Sequence, residues 1–104
     1  ATAVPPMEKL IFNYPASVDT VPRRAHVGVV ASGDMEVLLE PSASPGARVI
    51  VNTSVDGYRR TWKGVLDRFF SHYHGAAAIE INDFGATPGT VLLRLEQAAE
   101  KSRT

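Results

Sequence analysis

The stretch Val27–Pro41, VGVVASGDMEVLLEP, decides how the rest of the chain is read. Two apolar runs flank the short polar interruption Ser32-Gly33-Asp34. Val27, Val29 and Val30 before it, and Met35, Val37, Leu38 and Leu39 after it, are residue types that pack on a pleated, half-buried surface. The interruption is made of turn formers. Gly33 takes the positive φ that a tight reversal demands, and the short side chains of Ser32 and Asp34 hydrogen-bond local backbone amides. The stretch therefore predicts a β-hairpin with an exposed serine hydroxyl at its tip and a carboxylate close by. Such a tip is ordinary turn chemistry, and taken alone it reveals no function.

Upstream, Lys9–Tyr14 alternates Leu10, Phe12 and Tyr14 with Ile11 and Asn13 before Pro15, which predicts a first strand. Downstream, Pro41–Gly46 is turn material, and Arg48–Val55 sets Val49, Val51, Thr53 and Val55 against Ile50, Asn52 and Ser54. Consecutive strands with short links make an antiparallel meander the simplest expectation. The period then changes. From Arg59 to Tyr73, Trp62, Val65, Leu66, Phe69, Phe70 and Tyr73 recur at spacings of three and four, the stripe of a helix laid on a core. Asp56 is its expected N-cap and Gly75 its terminator. Ala76–Asn82 reads as a further core strand through Ala78, Ile79 and Ile81, and its place after a helix allows a crossover connection. Thr87 before Pro88 opens a last helix whose buried side is Val91, Leu92, Leu95, Ala98 and Ala99. The expected fold is an α+β two-layer sandwich, with about four to five mainly antiparallel strands covered on one face by two helices.

The 104 residues fit one domain, taken as 7–104, with residues 1–6 as a flexible leader or tag remnant. Apolar residues make up 44% of the chain and charged ones 21%, the composition of an ordinary globule. Eleven basic residues balance eleven acidic ones, which argues against a nucleic-acid binder, since displacing phosphate counterions needs an excess of Lys and Arg. With no cysteine, any working thiol must come from a cofactor. No run approaches the length of a membrane span and no secretory signal opens the chain, so no direct membrane insertion and a cytoplasmic location are expected.

Other constellations carry less. Ser32, Asp34 and a histidine can be assembled on paper into a hydrolytic triad, but no nucleophile elbow or oxyanion-loop signature supports it. His72 and His74 are two apart without a suitably spaced acidic partner, and read as a helix-end pair beside Gly75. Asp83-Phe84-Gly85 spells a kinase tripeptide without the loops that give it meaning. Arg59, Arg60, Lys63 and Arg68 fall mainly off the apolar stripe, as a solvated helix face or as a patch for a phosphate or acidic partner. No catalytic residue and no metal ligand is assigned.

Three stretches together resemble one family. ASGDMEVLLEP around Ser32, IEINDFGATPGTVLLRLEQAAE from Ile79 to Glu100, and the MEKLIFNYPA opening from Met7 are similar to the acyl carrier, or delta, subunit of malonate decarboxylase. The related acyl carrier of citrate lyase shares the Ser-Gly-Asp core, so the short motif does not separate the two, whereas GDMEVLLEP and DFGATPG favour the malonate enzyme. The resemblance implies a non-catalytic carrier domain. It implies a covalent 2'-(5''-phosphoribosyl)-3'-dephospho-coenzyme A group joined to Ser32 through a phosphodiester, with Gly33 and Asp34 shaping the turn. Asp34 either fixes the turn through backbone hydrogen bonds or orients the Ser32 hydroxyl for modification. The implied partners are a prosthetic-group transferase and the acyl transferase and decarboxylase subunits, which convert malonate to acetate and carbon dioxide. Malonate loses carbon dioxide reluctantly, and a thioester lets the developing charge spread into an enolate that a partner stabilises. A non-catalytic interaction module without cofactor is the rival expectation, and a small esterase using Ser32 is a third.

Overall fold

In the computed structural model, which describes residues 7–103, the period-two segments form five strands. They are β1 (Glu8–Tyr14), β2 (Ala25–Gly28), β3 (Met35–Pro41), β4 (Ala47–Thr53) and β5 (Ala77–Asp83). The two period-3.6 segments form helices α1 (Arg59–Phe70) and α2 (Pro88–Ser102). The leader expected at residues 1–6 lies outside the described residues.

The strands form one sheet in the order β1-β4-β5-β3-β2. Three pairings are antiparallel, and β4–β5 is parallel. Registry places Phe12 beside Val49, Val49 beside Ile79, Ile79 beside Leu39 and Leu39 beside Ala25, so the alternate residues of every strand share one face. That face is buried against Trp62, Leu66, Phe69 and Phe70 of α1 and Val91, Leu95, Ala98 and Ala99 of α2. Burying each large apolar side chain contributes about 1.5–3 kcal/mol, which fixes which helix faces turn inward. The α+β two-layer arrangement is the expected one, with both helices on the same side.

The connectivity differs from the expected meander. β3 and β4 are consecutive but not neighbours, because β5 lies between them and pairs with both. A parallel partner needs a long return, and α1 supplies it between β4 and β5. In β5 it is Ala77, with Ile79 and Ile81, that faces the core, while Ala78 is exposed on the other face. Val55 lies beyond the end of β4.

Helix boundaries also move. α1 is capped by Tyr58, not Asp56, since Gly57 at φ 80° turns the chain before the helix begins. It ends at Phe70, with Ser71 as C-cap, and Gly75 instead bridges to Asp19. Tyr73 stays buried and stacks on Phe69 with ring centroids 4.8 Å apart. α2 begins as expected. The Thr87 hydroxyl accepts from the Thr90 amide at 3.2 Å, and Pro88 follows in the first turn, where its missing N–H leaves nothing unsatisfied.

Candidate functional site

Ser32 sits on the reversal between β2 and β3. The Asp34 amide donates to the Ala31 carbonyl at 3.0 Å, closing a four-residue turn with Ser32 second and Gly33 third. Gly33 has φ 77°, the left-handed value that the third position of a type II turn requires, which explains the Ser-Gly order. A Cβ placed on Gly33 would meet nothing within 4 Å, so the backbone conformation, and not crowding, demands glycine there. Gly28 is constrained otherwise. A Cβ there would fall 2.1 Å from the Met35 carbonyl oxygen, so the base of the hairpin closes only with glycine.

Strand β2 is shorter than the valine run suggested. It stops at Gly28, and Val29 and Val30 are each 57% exposed on the approach to the tip. Ser32 is exposed as expected.

The tip is not a free loop. Gly33 N–H donates to the Phe84 carbonyl at 2.7 Å, and Phe84 N–H donates back to the Asp34 carbonyl at 2.9 Å. The Asp83-Phe84-Gly85 segment thus stitches the hairpin tip to the β5–α2 loop. The Asp34 carboxylate binds in two directions: one oxygen accepts from the Met35 amide at 2.7 Å and the other from Arg94 Nη2 of α2 at 3.3 Å. The Met35 hydrogen bond, and then that of Arg94, hold the Asp34 carboxyl below its ordinary range. This supports the turn-fixing role over orientation of the hydroxyl, because the hydrogen bonds of the two oxygens go to the turn backbone and to α2 and neither goes to Ser32.

Arg94 is the site residue that sequence reasoning did not single out. It lies 60 positions from Asp34, and its only signal is its place on α2 beside buried Leu95, where a cation at the edge of an apolar stripe needs a partner. The other basic candidates do not converge. Arg59 lies over the Phe12 ring at 4.8 Å and Lys63 pairs with Asp67 at 2.9 Å, so the helix face reads as solvated. His26 pairs with Glu36 at 2.9 Å and His72 lies 3.7 Å from Glu96, and neither pairing joins an imidazole to Ser32 or Asp34. Among the described residues there is no group of three or more His, Asp and Glu arranged to hold a metal, and no helix is long and apolar enough to cross a membrane.

Competing serines are mostly occupied. The hydroxyls of Ser17, Ser42, Ser71 and Ser102 each donate to a backbone carbonyl. Ser17 and Ser102 are also buried.

Residues 22–102 match the model of an acyl carrier family described as malonate decarboxylase delta subunit (MdcD). The chain is 47% identical over 96 residues to the malonate decarboxylase acyl carrier protein of Azotobacter vinelandii, covering 91% of this chain and 96% of that one. To the protein of the same name from Pseudomonas paraeruginosa it is 50% identical over 97 residues, covering 92% and 97%. The fold superposes with a TM-score of 0.85, at 47% identity, on a chain of the crystal structure of a Pseudomonas malonate decarboxylase hetero-tetramer in complex with malonate, covering 91% of this chain and 98% of that one.

Proposed function

Because the chain belongs to the malonate decarboxylase delta subunit family, in which it is an acyl carrier and not a catalytic subunit, we propose that Ser32 is its point of attachment. The group attached is a phosphoribosyl-dephospho-coenzyme A held by a phosphodiester. When bound, that group supplies the thiol that this cysteine-free chain lacks, carrying acetyl and malonyl as thioesters.

The residues at the tip fit such a group. Ser32 offers an exposed primary hydroxyl, and the open space around Gly33 leaves room for a bulky substituent. A phosphodiester there would place a negative charge two residues from the Asp34 carboxylate, and the Arg94 guanidinium offsets that repulsion. Arg94 Nη1 and Nη2 each carry two N–H groups and donate one bond each, to Gln97 and to Asp34, so the guanidinium has donor capacity left.

Stitching by Phe84 and Arg94 gives the carrier a defined presentation. A hydroxyl at a fixed turn can be read by a modifying transferase, and the arm it bears can then reach an acyl transferase and a decarboxylase in turn. Tethering converts each encounter into an effectively intramolecular one. The observation that carries the reading is the exposed serine in a rigidly anchored Ser-Gly-Asp turn of a chain about half identical to named acyl carriers. Reconstitution tests it. Combined with the modifying transferase and the partner subunits, the parent chain supports conversion of malonate to acetate, whereas Ser32→Ala melts like the parent and supports none. Full turnover with Ser32→Ala rejects the assignment.

A further inference from the structure

Beside the anchored tip lies a cleft that the carrier chemistry above does not use. Its volume is about 310 Å³, and it opens where Thr53 ends β4 and Asp83 ends β5. Crevices beyond the carboxyl ends of parallel strands are where open α/β sheets hold ligands, and this volume lies in the small-molecule range. Trp62 and Val65 of α1, Val91 of α2 and Val55 of the intervening link make its apolar walls. The Asp83 side chain is 3% exposed, with its carboxylate receiving Thr53 Oγ1 at 2.8 Å and the Ala86 amide at 3.0 Å. A carboxylate has about four acceptor sites, so Asp83 retains capacity for N–H donors of a ligand. The cleft also touches the tip. Gly85 lines it, and a Cβ on Gly85 would lie 3.9 Å from Gly33 Cα, one residue from Ser32.

We propose that this cleft receives the uncharged acyl end of the arm tethered at Ser32, an acetyl thioester with its neighbouring amide N–H, and excludes the malonyl form. The proposal rests on the carrier reading for the tether alone. The apolar walls bury the acetyl methyl and the sulfur, and the amide N–H meets the Asp83 carboxylate. A malonyl group would bring a second carboxylate out of water beside the first, a like-charge pair that burial penalises. The Ala86 N–H, which lies just ahead of the Thr87 cap of α2, already donates to Asp83 and is not free to hold an anion. The resting acetyl arm is thereby shielded from hydrolysis, and the malonyl arm stays outside for the partner that decarboxylates it.

Trp62 is the single tryptophan of the chain and lines the cleft, so its indole N–H resonance reports occupancy. Titrating the apo protein with S-acetylpantetheine should shift that resonance to saturation in the millimolar range that a tether supplies, and S-malonylpantetheine should bind at least about tenfold more weakly. Val65→Phe, which fills the cleft, should keep the fold and lose the shift. Acetyl-loaded parent protein should show the same Trp62 shift relative to apo, which keeps the test valid if Val65→Phe fails to fold. A silent Trp62 resonance, equal affinity for the two compounds, or undiminished binding by folded Val65→Phe overturns the proposal. Loading of Ser32 with Trp62 silent removes the cleft and keeps the carrier reading; fragment binding by a chain that the modifying transferase fails to load at Ser32 keeps the cleft and removes the carrier reading.

Discussion

Ser32 owes its exposure to its neighbours. Gly33 supplies the left-handed backbone that closes the turn, Asp34 ties the turn to α2 through Arg94, and Gly28 lets the base of the hairpin close. These roles separate on mutation. Gly33→Ala meets no steric obstacle but must hold a left-handed backbone, so urea unfolding should show a loss of roughly 1–2 kcal/mol. Gly28→Ala combines that strain with a clash against the Met35 carbonyl and should cost more; equal midpoints for the two variants would contradict this account. Asp34→Asn tests the tie. The folded carboxyl titrates below its ordinary value of 3.8, so its stabilisation is fully present above that value and is lost as pH falls through the lower folded one. Parent and Asp34→Asn should therefore differ in melting temperature at neutral pH and converge in strong acid. A gap that persists at low pH would show that the charge is not what Asp34 contributes.

At the scale of elements, the aromatic face of α1 belongs to the core. Phe69 is fully buried and packs against Phe70 and Tyr73 with centroids 5.1 and 4.8 Å away. Phe69→Ala should cost roughly 3–5 kcal/mol in chemical unfolding. An unchanged midpoint with lost binding to partner subunits would instead make the stripe an interface. This stripe was legible in the sequence because a spacing of three and four admits one face only. The ends of α1 were less legible. Asp56 has the chemistry of an N-cap, yet Gly57 turns the chain away before Tyr58, a backbone choice that propensity does not record. The partner of Arg94 was hidden for a different reason: nothing in a linear pattern joins residues 34 and 94.

At the scale of the molecule, alternation revealed which face of each strand is buried but not which strands are neighbours. The short Pro41–Gly46 link suggested that β4 returns beside β3, and pairing of β5 with both of them overrides it. The sheet order predicts a gradient of protection. Amides of β4, β5 and β3 are paired on both sides, while β1 and β2 are edges, so hydrogen exchange should be slowest near Val49, Ile79, Ile81 and Val37 and faster in β1 and β2. Slow exchange in β2 with fast exchange in β5 would refute the order. The same topology brings the β5–α2 loop against the β2–β3 tip and so anchors the serine turn through two backbone hydrogen bonds.

Where the adduct falls tests most directly whether one anchored serine carries the arm. Ser44 and Ser54 are also exposed and serve as internal controls. Co-express the chain with its modifying transferase, digest it and map the adduct by mass. One phosphoribosyl-dephospho-coenzyme A adduct is expected, on the peptide containing Ser32 and absent from Ser32→Ala; an adduct on Ser44, Ser54 or any other residue, or one that survives in Ser32→Ala, rules out Ser32 as the single carrier.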